Sequence, residues 1–203
     1  MNYKLAYAIG FHPWEDAERH APFVEKINEM FDREEKQQEA PYGPVLDLGC
    51  GSGVWGVNLA RRGWKVTSID IVDKALKRAQ ARIDKEGVKV NLLKEDVTKL
   101  NPEHIGSHFK FILDTGTYHG LPKKHRAAMG QAVDNISDPD TTLLLLVWDP
   151  KNRGPLPGGA SRQEIELNFP KWNITNVEPA DANPPSVLKA LKANEHWYRL
   201  RRK

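Results

Sequence analysis

Short apolar runs alternate with amphipathic stretches along most of the chain. The apolar runs predict strands at residues 45–48, 65–70, 88–93, 109–114, 141–148, 172–177 and 196–200. Stretches with helical spacing separate most of these runs, at residues 54–62, 74–79, 123–136 and 162–169. Strands that alternate with helices are typical of an α/β protein with a largely parallel sheet.

The region before residue 41 follows a different pattern. One helical face, which follows Pro22, carries the apolar side chains of Phe23, Val24, Ile27, Met30 and Phe31. Upstream, Tyr3, Tyr7 and Phe11 recur at every fourth residue, and Trp14 follows them. This stripe is either an ordinary packing surface, the simpler interpretation for any single residue, or a lid over a ligand site. We expect residues 1–40 to form a helical cap on one domain spanning residues 41–203.

Three glycines follow the first predicted strand at alternate positions, in the sequence Asp47-Leu48-Gly49-Cys50-Gly51-Ser52-Gly53. Glycines allow a tight turn and a close approach to a ligand, and the next helix points its N-terminus at that ligand. Residues 51–56 also fit the G-x-G-x-x-G fingerprint of dinucleotide sites, which alone is a weak signal. Asp47 argues against a dinucleotide, because its carboxylate would repel a pyrophosphate and would suit an ammonium group.

Residues 47–53 closely resemble motif I of the class I S-adenosylmethionine-dependent methyltransferases. The resemblance implies a loop that wraps the methionine half of the cofactor S-adenosylmethionine, with Asp47 anchoring the amino group directly or through water. The implied fold is α/β: a Rossmann-like, seven-stranded mixed sheet with helices on both faces and an N-terminal helical lid. The implied cofactor contacts in this stretch are Asp47, Gly49, Cys50, Gly51, Gly53 and Trp55.

Two acids after later strands complete the expected nucleoside site. Asp70 lies about 20 residues past the loop, where nucleotide-binding α/β folds place the acid that binds the ribose hydroxyls. Ile71 would then pack against the adenine or ribose, and Asp73 is better placed to cap the next helix. In the resembled family an acid and its neighbour after the third strand bind adenine, and Asp96 and Val97 match those positions. Capping of a short helix is the alternative role for Asp96.

The stretch after the fourth strand, residues 114–122, looks like the Asp-Ser-Gly-x-x-His stretch of bacterial small-molecule methyltransferases related to thiopurine and quinone methyltransferases. Ligands of open α/β sheets bind beyond the carboxyl ends of the strands, so this loop should face the methyl group. We expect cofactor contacts from Asp114, Thr115 and Gly116. His119 is either a base or substrate-orienting group, or a structural loop residue; Tyr118 is a weaker catalytic candidate.

The expected function is methyl transfer to a small acceptor that is flat, largely apolar and aromatic or heterocyclic, through an oxygen, sulfur or nitrogen nucleophile. The candidate acceptor walls are Trp14, Tyr118, His119 and Trp148. Two alternatives from other classes stay open. One is an NAD(P)-dependent oxidoreductase, and the other is a catalytically silent protein that binds S-adenosylmethionine.

Composition narrows the partners without identifying the acceptor. The 203 residues carry a formal net charge of +3 with basic and acidic residues interspersed, so we expect no nucleic-acid partner. The single cysteine, Cys50, fits a reducing compartment, and the chain lacks the Cys/His spacing of zinc sites, so we expect no metal. No apolar run approaches membrane length and the first residues lack a signal pattern, which predicts no membrane partner and a cytoplasmic protein, monomeric or homodimeric.

Overall fold

The structure is a computed structural model that describes residues 3–10, 17–36, 38–154, 156–181 and 194–203. Its strands are β1 (Pro44–Leu48), β2 (Lys65–Asp70), β3 (Val90–Lys94), β4 (Phe109–Asp114), β5 (Ser137–Trp148), β6 (Trp172–Pro179) and β7 (Glu195–Arg202). Its helices are α1 (Tyr3–Ala8), α2 (Ala21–Glu35), α3 (Val54–Arg62), α4 (Asp73–Glu86), α5 (Pro102–Ile105), α6 (Thr117–Gly120), α7 (Lys123–Asn135) and α8 (Arg162–Asn168). None of these helices is both long and apolar enough to cross a bilayer.

The strands form one sheet in the order β3-β2-β1-β4-β5-β7-β6. The first five strands are parallel, and β7 runs antiparallel to both β5 and β6. The sheet is therefore the predicted seven-stranded mixed sheet. The strand order reverses between β1 and β4, and ligands of open α/β sheets bind in the crevice at such a switch point. The glycine loop after β1 and the stretch after β4 flank this crevice.

Helices cover both faces of the sheet, as predicted. On one face, α2 and α3 bury apolar side chains against the sheet, among them Phe23, Ile27, Phe31 and Leu59. On the other face, α5, α7 and α8 pack against the sheet through side chains such as Met129, Val133 and Ile165. The apolar face of α2 belongs to this core, so α2 is an integral layer of the domain.

The N-terminal stripe is only partly described. Tyr7 is 6% exposed and packs with Val72 and Ala75 near the start of α4, and Tyr3 lies against the same cluster. Helix α1 therefore lies near the carboxyl end of β2. Phe11 and Trp14 lie outside the described residues, so the predicted acceptor contact of Trp14 stays a prediction.

Strand β5 begins earlier than the sequence predicts, at Ser137 instead of residue 141. The register of the β4–β5 pair shifts between Phe109 and Phe111, which leaves room for the extra residues as an irregularity in the strand. The buried Thr141 hydroxyl donates to the Phe109 carbonyl at 2.7 Å and accepts from the Asp138 amide at 2.8 Å. A threonine side chain thus replaces backbone pairing where the ladder is interrupted.

Candidate active site

The glycine loop after β1 needs glycine for both conformation and space. Gly49, Gly51 and Gly53 have φ angles of 65°, 54° and 76°, in the left-handed region that side chains disfavour. A Cβ atom on Gly49 would lie 2.0 Å from the Thr117 hydroxyl oxygen, and that hydroxyl donates to the Leu48 carbonyl at 3.1 Å. Gly49 therefore lets the stretch after β4 close directly onto the loop after β1.

Asp47 is a buried carboxyl group with an unused acceptor. The residue is 1% exposed, and its Oδ2 accepts from the Ser68 hydroxyl at 3.4 Å. Its Oδ1 has no hydrogen-bond partner among the described residues. Burial raises the pKa of Asp47 to about 7, and the hydrogen bond from Ser68 opposes that rise. An orphaned carboxylate oxygen beside a glycine loop suits a cationic donor, so this position fits the ammonium group of an amino-acid ligand.

Asp70 braces the glycine loop from the end of β2. Its Oδ2 accepts from the Gly51 amide at 3.0 Å, and its Oδ1 accepts from the Val72 amide at 2.8 Å. The interpretation of Asp73 as the cap of α4 is wrong, because Asp73 is the first helical residue and Val72 is the N-cap without a side-chain cap. The adjacent Ile71 is 44% exposed, which leaves an apolar surface beside Asp70.

The acid after β3 stabilises a turn. Asp96 Oδ1 accepts from the Thr98 amide at 2.9 Å and from the Thr98 hydroxyl at 2.7 Å. Asp96 is partly exposed, whereas Val97 is 7% exposed and belongs to the core. The structure therefore gives Asp96 a capping role at a turn, and any contact of Asp96 with adenine would be additional to that role.

Asp114 holds the stretch after β4 in a short helix, where the sequence predicts only a loop. The fully buried carboxylate accepts from the amides of Gly116, Thr117 and Tyr118 at 2.7, 2.8 and 2.9 Å. Burial raises the pKa of Asp114 to about 7, and the three amide hydrogen bonds oppose the rise. Thr115 and Gly116 are partly exposed at the start of this turn. A carboxylate at the N-terminus of a helix is favourable because it satisfies free amides.

His119 and Trp148 form a stacked pair between the ends of β4 and β5. Their ring centroids are 5.2 Å apart with an interplanar angle of 24°. His119 is 4% exposed, and its Nδ1 lies 3.1 Å from the Leu146 carbonyl oxygen. A carbonyl only accepts, so Nδ1 carries the proton and Nε2 keeps its lone pair. Burial lowers the pKa of His119 to about 4, so the imidazole is neutral at pH 7.

Trp148 is held on two further sides. Its indole Nε1 donates to Glu195 Oε1, at the start of the neighbouring strand β7. The guanidinium carbon of Arg153 lies 5.4 Å from the indole ring centroid, in a cation–π arrangement. Burial raises the pKa of Glu195 to about 7, and the hydrogen bond from Trp148 opposes the rise. The ring pair therefore has a fixed orientation and a charged neighbour.

Two predicted contacts point their side chains into the core instead. Tyr118 is fully buried, its ring centroid lies 5.4 Å from that of Phe169, and its hydroxyl accepts from Asn168 at 2.8 Å. The expected catalytic and acceptor-wall roles of Tyr118 therefore do not fit this structure. Trp55 is 8% exposed and packs against Phe23, so its indole is a core residue rather than a cofactor contact. Trp55 was expected from the motif resemblance and Tyr118 from its place after β4, and neither signal gives the direction of a side chain.

Cys50 contributes through its backbone. Its amide donates to the Ile69 carbonyl at 2.9 Å and its carbonyl accepts from the Gly53 amide at 2.9 Å. Its thiol is buried. Burial raises the thiol pKa well above the usual value, and the charges of Asp47 and Asp70 raise it further. The neutral thiol is thus a small packing group in the glycine loop.

Helix α1 reaches the same crevice. A Cβ atom on Gly120 would lie 2.0 Å from the Tyr3 hydroxyl oxygen, so the phenol lies directly against the α6 backbone. Burial raises the pKa of Tyr3, and the nearby carboxylates Asp114 and Asp70 raise it further. Tyr3 therefore lies within electrostatic range of the ends of both β2 and β4.

Sequence reasoning missed Arg126, Arg153 and Glu195. Arg126 lies on α7 and is 2% exposed. In the sequence it is one charged residue in the polar run 123–126, and its charge is its only signal. Nearby, Ser161 is the N-cap of α8, since its Oγ accepts from the Glu164 amide at 3.1 Å. Among the described residues, no group of three or more His, Cys, Asp or Glu side chains could hold a metal ion.

Comparisons with known proteins agree with this geometry. A family model described as a methyltransferase domain matches residues 45–140. The 2-heptyl-1-hydroxyquinolin-4(1H)-one methyltransferase of Mycobacteroides abscessus is 26% identical over 150 residues, covering 71% of this chain and 65% of that protein. The match therefore spans just under two thirds of this relative's length.

Two solved structures share the fold. An S-adenosylmethionine-dependent methyltransferase from Clostridium acetobutylicum has a TM-score of 0.69 and 14% identity, over 97% of this chain and 98% of that chain. Magnesium protoporphyrin IX methyltransferase from Synechocystis, with bound S-adenosylhomocysteine, has a TM-score of 0.61 and 17% identity, over 78% and 74%. At these identities the likeness shows the fold alone.

The sheet order and the glycine loop at its switch point define the class I methyltransferase fold. With the family match and the named methyltransferase relatives, they identify the chain as an S-adenosylmethionine-dependent methyltransferase. The comparisons favour neither the oxidoreductase nor the silent binding protein. The predicted fold, enzyme class and cofactor are thereby confirmed.

Proposed function

We propose that this methyltransferase acts on a small, flat, largely apolar molecule with an aromatic or heterocyclic ring and an oxygen, sulfur or nitrogen nucleophile. The observation that carries the proposal is the stacked pair of His119 and Trp148 at the carboxyl ends of β4 and β5. A rigid aromatic surface with one polar edge suits a planar ligand. The relative from Mycobacteroides abscessus, whose name gives a hydroxylated heterocycle as its acceptor, supports the same class.

For the cofactor site, we propose that Asp47 and the glycine loop hold the methionine end of S-adenosylmethionine. The unpartnered Oδ1 of Asp47 supports this assignment, because a buried carboxylate oxygen needs a donor. Asp70 and the exposed Ile71 bind the ribose side, and Asp96 with Val97 binds the adenine side. In this proposal Asp70 has two tasks, since it also holds the Gly51 amide.

In the acceptor site, His119 orients the acceptor. Bound S-adenosylmethionine supplies a methyl group on a positively charged sulfonium, which makes a neutral leaving group. The lone pair on His119 Nε2 accepts a hydrogen bond from the nucleophile's O–H, N–H or S–H. A pKa of about 4 makes this imidazole a weak base, so its main contribution is alignment. Alignment is a large effect, worth on the order of 7–11 kcal/mol in well-oriented reactions.

Helix α1 is the lid in this proposal. The packing of Tyr7 on Val72 and Ala75 and the position of Tyr3 against Gly120 support a cover over the crevice. The cap of residues 1–40 then has two parts with different tasks. Helix α2 stabilises the core, whereas α1 excludes water from the site.

The test is a pair of measurements on the purified protein. Calorimetry with S-adenosylhomocysteine and with NADH should detect binding of the first only. Transfer of a labelled methyl group from S-adenosylmethionine to a panel of phenols, thiols and hydroxyquinolines should label at least one small acceptor. If RNA or a protein tail is methylated and every small acceptor is ignored, the proposed acceptor class is wrong.

A further inference from the structure

We propose that Arg126 is a positioning residue that fixes His119 and the Gly159 end of the loop after β5 relative to each other, on both sides of the acceptor position. This inference rests on the proposed function, because it assigns the stacked pair of His119 and Trp148 to the acceptor. Arg126 lies on α7 and is remote in sequence from the glycine loop. Its contacts, rather than its position in the sequence, carry the proposal.

The Arg126 guanidinium connects three separate segments of the chain. Nη2 donates to the His119 carbonyl at 2.8 Å, and Nε donates to the Leu121 carbonyl at 3.1 Å. Nη1 donates to the Gly159 carbonyl at 2.9 Å and to Glu164 Oε1 at 2.6 Å. The side chain is 3% exposed, so these bonds are made out of contact with bulk water. One cation therefore joins α6, the Gly159 end of the loop after β5 and α8.

The Gly159 contact extends this control to Trp148. A Cβ atom on Gly159 would lie 2.5 Å from the Trp148 carbonyl oxygen and 2.2 Å from that of Asp149, so the loop folds closely back on the end of β5. The next amide, of Ala160, donates to the Trp148 carbonyl at 2.9 Å. Arg126 therefore binds the backbone of His119 and also the loop that closes on Trp148, and the rings of these two residues stack on each other.

Arginine suits this task better than lysine would. Its planar fork presents five donors in fixed directions, whereas an ammonium group is a point charge on a flexible stem. Four donor contacts to three backbone carbonyls and one carboxylate make use of that fork. The Tyr118 ring, with its centroid 5.3 Å from the guanidinium carbon, covers one face. This contact gives the buried Tyr118 a structural purpose in place of a catalytic one.

A purely structural ion pair would have different consequences. Arg126 is buried in this pair whereas Glu164 is partly exposed, and removal of the partner of a buried charge is strongly destabilising. A structural role would therefore weaken the whole domain, including cofactor binding. A positioning role acts on turnover and on His119 itself, because the Arg126 charge also helps to lower the pKa of His119 after the larger effect of burial.

The experiment compares Arg126→Lys, the double variant Arg126→Met with Glu164→Gln, and the control Arg162→Lys. Arg126→Lys keeps the buried charge, and the double variant removes both charges together, which avoids leaving the Glu164 carboxylate without its partner. Arg162 is 56% exposed in its side chain and pairs with Glu166 on the surface of α8, so it is a matched arginine outside the site. Each protein is measured for its dissociation constant with S-adenosylhomocysteine, its amide exchange and the pKa of the His119 imidazole by NMR.

We expect S-adenosylhomocysteine affinity within about twofold of the parent in all three proteins, since Arg126 does not touch the glycine loop. Amide exchange at residues 119–121 and 159–160 should quicken about tenfold or more in both Arg126 proteins. In the double variant the pKa of His119 should rise, and in Arg126→Lys it should stay close to the parent value. With an acceptor from the panel, the kcat of both Arg126 proteins should fall on the order of 30-fold or more, and their KM for S-adenosylmethionine should not change.

Parent-like amide exchange at residues 119–121, with parent-like kcat in Arg126→Lys, would overturn the proposal. So would equal losses of cofactor affinity and turnover, which indicate a general structural role. If the parent protein methylates no small acceptor, the proposed function fails, and the exchange and NMR measurements still decide the role of Arg126. The two failures are therefore distinguishable.

Discussion

The two halves of the crevice are built in different ways. On the cofactor half, beyond β1 and β2, the ligand-facing surface is largely backbone: left-handed glycines and a carboxylate, Asp70, that accepts two amides. On the acceptor half, beyond β4 and β5, the surface is a pair of side chains held by distant residues. His119 is held by Leu146 and Arg126, and Trp148 by Glu195.

This difference teaches which variant should affect which step. The cofactor half depends on residues close together in sequence, so changes there should alter the affinity for S-adenosylhomocysteine first. The acceptor half depends on contacts between α7, β5 and β7, so changes there should alter turnover while the cofactor still binds. A variant in one half that alters the step assigned to the other half would show that the two halves are coupled.

The largest expected effect is that of Gly49→Ala. The left-handed conformation costs an alanine about 1–2 kcal/mol, and the new Cβ would also collide with the Thr117 hydroxyl. We expect the affinity for S-adenosylhomocysteine, measured by calorimetry, to fall on the order of 100-fold because the loop must shift. Gly87→Ala is the matched control: Gly87 has a φ of 63° and nothing within 4 Å of a new Cβ. If Gly49→Ala binds S-adenosylhomocysteine as tightly as Gly87→Ala does, the close approach at Gly49 does not shape the cofactor site.

The next effect belongs to the acceptor half. His119→Ala should lower kcat on the order of 100-fold with an acceptor from the panel and leave S-adenosylhomocysteine affinity unchanged. The reason is loss of the Nε2 acceptor without any change in the glycine loop. The control His125→Ala removes an exposed imidazole from α7 and should turn over at the parent rate. Parent-like kcat in His119→Ala from pH 6 to 9 would show that the histidine is only a loop residue.

Much of the fold was accessible from sequence because its signals are local. The bounds of β2 and β4 agree with the predicted 65–70 and 109–114, where apolar runs end at an acid. The start of β5 was wrong because Thr141 replaces ladder pairing with a side-chain bond to the Phe109 carbonyl, which no periodicity reveals. Helix α6 was missed because one buried carboxylate, Asp114, produces it rather than a repeating pattern.

The site divides in the same way. The left-handed turn of the glycine loop and the acid at the end of β2 follow from local motifs, so the sequence points to both, but the hydrogen bond between Asp70 and the Gly51 amide appears only in the structure. The core positions of Trp55 and Tyr118 depend on which way a side chain turns, and Phe23 and Phe169 decide that from far along the chain. Arg126 lies beyond sequence reasoning for the same reason, because its four acceptors come from three segments that meet only in the folded protein.

The third effect concerns Asp47, where the same substitution should raise stability and weaken cofactor binding. Asp47 has a folded pKa of about 7, above its ordinary 3.8, because burial disfavours the charge. The unfolded chain therefore loses this proton first as pH rises, so stability is fully present below about pH 4 and decreases up to about pH 7. Asp47→Asn removes this loss and should stabilise the ligand-free protein by about 2–4 kcal/mol at pH 8, with little change at pH 4.

Urea unfolding at both pH values measures that effect, and calorimetry measures its counterpart. The same variant should bind S-adenosylhomocysteine more weakly, because the neutral amide loses a charge-assisted bond to the ammonium group. Asp140→Asn is the control, since Asp140 is exposed and Lys110 lowers its pKa, so the sign of its pH dependence is opposite. If the difference in stability between Asp47→Asn and the parent is the same at both pH values, the buried charge of Asp47 does not destabilise the protein.

The smallest expected effect tests whether α1 belongs to the cofactor half as a lid. Tyr7→Ala removes the side chain that packs on Val72 and Ala75, so the six-residue α1 should detach without unfolding the domain. Amide exchange at residues 3–8 should quicken, and S-adenosylhomocysteine affinity should fall about fivefold, which corresponds to about 1 kcal/mol. Ile9→Ala, which trims a residue that is 70% exposed, should change neither. Faster exchange with unchanged affinity would make α1 a packing element, and the cofactor half would then consist of the sheet edge and its glycine loop alone.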